Sequence, residues 1–263
     1  MKNLFLLILL GCFGNSIFAQ ETATTKKSRR EEKAQRINAI VKQEEEGVLK
    51  YKKHFAGGFK LTNDGSGAFI EMARAQSIKR TLLFQLEISE RKHVKEEKLQ
   101  NSYSPTAPVI YGKINFFYPV KLGVQEQFLF GNKGNKNGVN ITGNFGGGIS
   151  LGLMRPYLVE VDKGNGVYEF VGYNSPDSNY FLNGPIVGGP SFSNGWKNLK
   201  VIPGIYLKSS IRFDYGKYNE MLSAIEIGAT AEYYTKKIPQ MIIMKQQKLF
   251  LGAYVAIVFG RRK

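Results

Sequence analysis

Between Ile110 and Phe130 the chain reads IYGKINFFYPVKLGVQEQFLF, and its side chains sort by parity. Ile110, Ile114, Phe116, Tyr118, Val120, Leu122, Val124, Phe128 and Phe130 share one parity; Lys113, Asn115, Lys121, Gln125 and Gln127 share the other. Successive side chains of a strand point to opposite faces, so this stretch predicts a long strand with one apolar and one polar face. Only Glu126 breaks the apolar face, near the strand's end.

Four further segments repeat the pattern. In VNITGNFGGGISLGLM, Val139, Ile141, Phe145, Ile149, Leu151 and Leu153 oppose Asn140, Thr142, Asn144, Ser150 and glycines. In GIYLKSSIRFDYG, Ile205, Leu207, Ile211 and Phe213 oppose Lys208, Ser210, Arg212 and Asp214. In LSAIEIGATAEYY, Ile225, Ile227 and Tyr233 oppose Glu226, Thr230 and Glu232. In TLLFQLEISE, Leu82, Phe84, Leu86 and Ile88 oppose Gln85, Glu87 and Ser89. The closing stretch KLFLGAYVAIVFGRRK is apolar on both faces down to its cationic end.

A soluble β-sandwich alternates in the same way, so period two leaves two solvents open for the apolar face. Strand length, aromatic residues toward the strand ends and a polar face dense in charge and glycine favour a small transmembrane barrel over a sheet in water. The opening MKNLFLLILLGCFGNSIFAQ reads as a secretory signal peptide, residues 1–19, with cleavage after Ala19. Its rival is lipidation at Cys12 in LLGC; Cys12 is the single cysteine, so cleavage leaves no thiol for disulfides or zinc–thiolate sites. Beyond that segment no apolar run is long enough for a spanning helix, while 29 Gly, 18 Phe and 14 Tyr suit an exported all-β chain.

Strands are predicted near 57–62, 67–74, 81–90, 110–130, 139–159, 202–216, 222–236 and 248–260, with a tight Asn-Asp-Gly turn in the first hairpin. They form an eight-stranded antiparallel up-and-down barrel over residues 57–263. The short connectors AQSIKR, GNKGNKNG and KYNEM fall on one side and the long ones, 91–109 and 160–201, on the other. Short turns face the periplasm and long loops the exterior in such barrels, which fixes the orientation. The signal ending FAQ, the hairpin GGFKLTNDGSGAFIEMAR, the segment YGKINFFYPVKLGVQ and the run NFGGGISLGLMRPYLVEV resemble the small outer-membrane β-barrel proteins of Bacteroidetes. That group includes the PorT-like barrels associated with type IX secretion. The resemblance covers about residues 55 to 263 and implies a fold, not an activity or a set of site residues.

Residues 20–56 have no period-two signal. Glu32 and Arg36 are spaced for a helical ion pair, and Glu21 to Lys53 holds ten Lys/Arg against six Asp/Glu. This basic periplasmic extension, partly helical, is a candidate docking arm for an envelope protein partner. Its compartment argues against nucleic acid despite a formal net charge of +16. Basic residues in RKHVKEEK and KKIPQMIIMKQQK are placed outside, where lipopolysaccharide phosphates are the expected counter-charge.

Lumen parity falls to Glu87, Lys113, Lys121, Lys208, Arg212, Asp214, Glu226 and Glu232. Eight strands leave an interior just wide enough for side chains to fill, so these charges are predicted to pair in a ladder that plugs it. No cofactor, metal or catalytic set is expected. The two histidines are His54, placed ahead of the first strand, and His93, which follows Ser89 and Glu90 near the outer rim. The function predicted is a non-enzymatic accessory or structural component of the cell envelope or of a secretion complex. Two alternatives stand beside it: a lipid A-modifying enzyme using His93, and an adhesin using the 160–201 loop.

Overall fold

The computed structural model describes residues 51–99, 107–133, 138–176, 178–218 and 220–263, together with Lys33 and Gln35. The predicted signal peptide and, apart from those two positions, the 20–50 part of the extension lie outside the described residues.

In chain order the strands are β1 (Lys53–Thr62), β2 (Gly65–Ala75), β3 (Arg80–Arg91), β4 (Lys98–Leu99), β5 (Val109–Ile110), β6 (Asn115–Gly131) and β7 (Asn140–Pro156). They continue as β8 (Leu158–Asp162), β9 (Tyr168–Gly172), β10 (Ile186–Gly188), β11 (Lys200–Asp214), β12 (Met221–Ile238) and β13 (Gln247–Arg262), with one short helix, α1 (Ser178–Asn183), between β9 and β10. Eight of these strands close an antiparallel barrel in the order β1, β13, β12, β11, β7, β6, β3, β2 and back to β1. The seam between β1 and β13 runs in register from His54 opposite Arg262 to Thr62 opposite Tyr254, so no barrel strand keeps an open edge.

The alternation that predicts the barrel also sets its two faces. On β11, Leu207 is 59% exposed and Ile211 46%, whereas their neighbours Lys208 and Arg212 are 2% and 1% exposed. The same holds on β3, where Phe84, Leu86 and Ile88 point out and Gln85, Glu87 and Ser89 point in. Glu126, the one acid on the outer face of β6, lies 3.7 Å from Arg80 at the end where the short turns gather. A missing side chain matters on β6: a Cβ at Gly123 would meet the Tyr206 hydroxyl at 2.4 Å and the Gly147 carbonyl at 2.5 Å. Glycine there makes room for a tyrosine inside the barrel.

Connectors alternate as predicted. Those after β2, β6 and β11 are short and share an end with Lys53 and Lys263, which are hydrogen-bonded through their backbones. At the other end Asn63 and Asp64 turn β1 into β2, and the connectors after β3, β7 and β12 fold together. There β8 pairs with β9 and β10, β4 pairs with β5, and Ile110, Tyr157, Val159, Val161, Val171 and Phe181 form a separate apolar core. The backbone stitches the cap: the Ile114 amide donates to the Gln240 carbonyl, and the Ile242 amide to the Gly112 carbonyl.

Several predicted boundaries are corrected. The barrel begins at Lys53, not at 57, which brings His54 inside the first strand. The stretch 110–130 is not one strand: Gly112 takes φ 72, a left-handed conformation that glycine adopts without steric cost, and β6 starts only at Asn115. Ile110 and Ile114, predicted on the outer apolar face, are therefore buried in the cap region. Likewise the stretch 139–159 leaves the barrel at Pro156, and the chain from Leu158 pairs within the cap sheet. Aromatic anchoring holds that departure point. The Arg155 guanidinium lies 4.2 Å from the ring centre of Phe116 and 5.1 Å from that of Trp196, and it donates to the Phe192 carbonyl at 2.5 Å.

Candidate functional site: the charged lumen

Each inward position of a barrel strand places one side chain in the interior, and the strand order decides which charges meet. Glu87 on β3 stands directly opposite Lys121 on β6, and Nζ of Lys121 lies 2.9 Å from Oε1 of Glu87. Lys60, on β1, reaches across β2 to the same carboxylate. Lys121 also spans the interior to Glu232 on β12 at 2.6 Å. Arg91 continues the chain, with Glu232 at 3.2 Å and Asp64 at 2.7 Å.

A second network lies nearer the chain termini. Arg212 and Glu226 are cross-strand partners on β11 and β12, joined from Nε to Oε2 at 2.7 Å. The remaining guanidinium nitrogens fork across the lumen onto Glu71 of β2, at 2.6 and 2.8 Å. This bidentate geometry matches the planar guanidinium to a planar carboxylate. Glu226 accepts further bonds from the Tyr254 hydroxyl at 2.6 Å and Lys208 at 2.9 Å, and Lys208 donates to Gln85 at 3.0 Å. His54 Nε2 lies 3.3 Å from Glu71. Arg262 pairs with Asp214 at the end where β13 finishes.

The pairs balance in sign. Among the described residues the ion-paired groups of the interior are six cations, Lys60, Arg91, Lys121, Lys208, Arg212 and Arg262, and six carboxylates, Asp64, Glu71, Glu87, Asp214, Glu226 and Glu232, with His54 beside Glu71; Lys133, also buried, donates to the Gly216 carbonyl instead. Toward the cap, Phe117, Met154, Ile202, Tyr234 and Ile238 form an apolar layer against Phe250. Arg91 reaches this layer, its guanidinium 5.1 Å from the ring centre of Phe250.

Of the eight residues predicted for the lumen, seven occupy inward positions of barrel strands: Glu87, Lys121, Lys208, Arg212, Asp214, Glu226 and Glu232. Lys113 does not. It precedes β6, is bridged to Met241, and pairs with Glu96 at 2.5 Å within the cap. Burial pushes its ammonium below the usual lysine range, with Glu96 acting in the opposite direction. Lys60, Glu71, Arg91, Asp64 and Arg262 complete the networks, although the prediction does not name them. Lys60 and Glu71 were readable, since the parity rule applied to GGFKLT and GAFIEMAR sends both inward between Phe59 and Leu61 and between Ile70 and Met72. Arg91 was readable too, since it continues the inward parity of Gln85, Glu87 and Ser89 to the last residue of β3, whereas Asp64 sits in the turn between β1 and β2 and carries no periodic signal.

The rim chemistry of the enzymatic alternative is not assembled. Nδ1 of His93 accepts a hydrogen bond from the Lys95 amide at 3.2 Å, while Ser89 points into the barrel. Among the described residues no hydrogen bond joins His93 to Ser89 or Glu90. The cavity touching His93, Gln240 and Phe250 measures about 30 Å³, room for a water molecule and little more. Among the described residues no group of three or more His, Cys, Asp or Glu side chains could hold a metal ion.

No family model matches the chain, and no curated protein matches it. Among solved structures, Ail, the attachment invasion locus protein of Yersinia pestis, aligns at TM-score 0.38 and 9% identity, over 82% of this chain and 100% of that one. Neisserial surface protein A aligns at 0.37 and 8%, over 80% and 96% respectively. A major outer membrane protein from Thermus thermophilus aligns at 0.40 and 7%, over 80% and 99%. Likenesses at this level carry no activity, ligand or partner over to this chain.

Proposed function

We propose that the chain is a non-enzymatic outer-membrane β-barrel protein that serves as a structural or accessory component of the cell envelope. The observation that carries this reading is the inverted partition of the wall, with branched and aromatic side chains outside and paired charges inside. Water offers no reason to expose Leu207, Leu251 and Phe59 while sequestering Lys208, Glu226 and Arg212; hydrocarbon does. Closure supports it too, because backbone groups have no partner in a lipid core except one another. The filled lumen speaks against a channel. With long connectors outside, β1 starts at the periplasmic end, and the basic sequence ahead of it is a candidate arm for a partner of a secretion or assembly complex.

Fractionation tests the reading directly. The mature protein should segregate with the outer membrane, and unheated samples should migrate differently on gels from boiled ones, because a closed barrel resists detergent until its strands separate. Recovery as a detergent-free soluble monomer would sink it. The enzymatic alternative has its own check: His93→Ala should leave the mass spectrum of lipid A unchanged, and loss or gain of one acyl chain that depends on His93 would reinstate it.

A further inference from the structure

At the short-turn end of the closing seam, Arg74 on β2 stands opposite Lys53 on β1. Lys53 in turn exchanges both backbone hydrogen bonds with Lys263. The next outward row reads Met72, Phe55, Arg261 and Met221 across β2, β1, β13 and β12. Parity puts all four cations outside: Lys53 precedes buried His54, Arg74 follows buried Ala73, and Arg261 and Lys263 flank buried Arg262. Like charges directly opposite one another on a ladder are destabilising, and the chain does not offset them. The acids of these four strands, Glu71, Glu226 and Glu232, all point into the lumen. Glu220, exposed just ahead of β12, pairs with none of the four, and none has any ion pair among the described residues. Elsewhere on the same rim the chain does supply a partner, Glu126 for Arg80.

Beneath these cations, on the same face, the wall has a dent. The third outward row holds Ile70, Gly57 and Phe259. A Cβ at Gly57 would meet nothing nearer than 3.6 Å, whereas one at inward Gly58 would strike the Phe69 ring at 2.6 Å. Packing therefore requires a glycine at 58 but not at 57, where the missing side chain leaves a gap among exposed Phe55, Phe59, Ile70 and Phe259. Gly57 lies four positions from Lys53, about 13 Å at strand rise. We propose that the seam seats one anionic glycerophospholipid of the surrounding leaflet: Arg74, Lys53, Lys263 and Arg261 take its headgroup phosphate, and the dent at Gly57 takes an acyl chain. The inference rests on the membrane reading above and adds to it a place on the wall and a class of lipid. A phosphate offsets the repulsion within the cationic row, with the ammonium groups acting as point charges and the guanidinium groups as forked donors. A second copy joined through the same seam, upright in the same membrane, would set two such rows at one height, which like-charge repulsion opposes.

The test uses the full chain purified in a neutral detergent, with dipalmitoyl phosphatidylglycerol and dipalmitoyl phosphatidylcholine as probes and native mass spectrometry as the readout. Wild type should retain phosphatidylglycerol in preference to phosphatidylcholine, and the preference should shrink as ionic strength rises. Lys53→Gln with Arg74→Gln should weaken phosphatidylglycerol binding roughly thirtyfold, and Arg261→Gln alone roughly fivefold. Neither should affect phosphatidylcholine. Gly57→Leu, which fills the dent from a lipid-facing position, should weaken both lipids. Lys79→Gln with Lys217→Gln removes as much charge from exposed short-turn positions and should bind like wild type. The heat-shift on gels monitors folding of every variant. If wild type inserts into bilayers but holds the two lipids equally, or if the short-turn pair weakens phosphatidylglycerol as much as the seam pair, the seat is wrong while the membrane reading stands. Failure of wild type to insert at all overturns both.

Discussion

Replacing Arg212 with alanine should cost about 3–5 kcal/mol of folding stability, the range seen when one partner is removed from a buried ion pair. Its guanidinium joins Glu71 across the lumen to Glu226 on the neighbouring strand, and all three side chains are almost wholly buried. Without it, Glu226 keeps Lys208 and the Tyr254 hydroxyl, but Glu71 keeps only His54. The Glu71 carboxylate then carries an uncompensated charge in a cavity from which Arg212 has been deleted. A double variant, Arg212→Met with Glu71→Gln, should recover most of the loss, because Glu226 keeps Lys208 and no unpaired carboxylate remains at that level of the barrel. Denaturant titration of barrels refolded into lipid vesicles measures both. Equal stability of Arg212→Ala and wild type would show that the forked pair contributes nothing to the folded state.

Leu207→Arg should cost about 2–4 kcal/mol if its position lies near the bilayer midplane, because the guanidinium must enter hydrocarbon. The neighbouring exchange, Lys208→Gln, should cost less: the amide stays in a polar interior, though Glu226 loses one of its cations. Adjacent positions on β11 therefore tolerate opposite chemistries, a signature of strand facing that no soluble sheet with one wet face reproduces in this sense. The folded fraction in bilayers, read by the gel shift, compares the two. If Leu207→Arg folds as wild type does and Lys208→Gln fails, the wall is facing the other way.

The barrel was legible in the sequence because its selection pressure is periodic. Every second residue of β3, β6, β7, β11 and β12 meets one medium, so parity recovers these strands, their facing and the lumen placement of Glu87, Lys121, Lys208 and Glu226, while the first hairpin is read from its Asn-Asp-Gly turn. The same logic misled at the cap. Residues 110–114 and 158–159 continue the alternation of their neighbours, yet the first run bends at Gly112 and the second departs after Pro156. What ends these strands is a backbone conformation and the separate core around Tyr157 and Phe181, and neither leaves a mark in apolar periodicity. The site shows the same division. Pairs across a ladder, such as Arg212 with Glu226, follow from register. Contacts across the lumen, such as Arg212 with Glu71 or Lys121 with Glu232, depend on barrel radius and rotamer and are invisible in one dimension.

The seam between β1 and β13 has a kinetic meaning. His54 waits for Arg262, and Phe59 for Ile257, partners that lie almost the whole described chain away. Bringing such distant segments together is slow compared with forming the local hairpins, whose ends are already close. Until β13 arrives, β1 and whichever strand was made most recently each present a row of bare amides and carbonyls, and hydrocarbon cannot accept either edge. Seven strands are therefore no closer to a membrane-competent state than four. On the membrane reading proposed above, crossing into the bilayer and shutting the seam become one event, and the unfinished chain has to stay in a watery or chaperoned place until it closes as a ring.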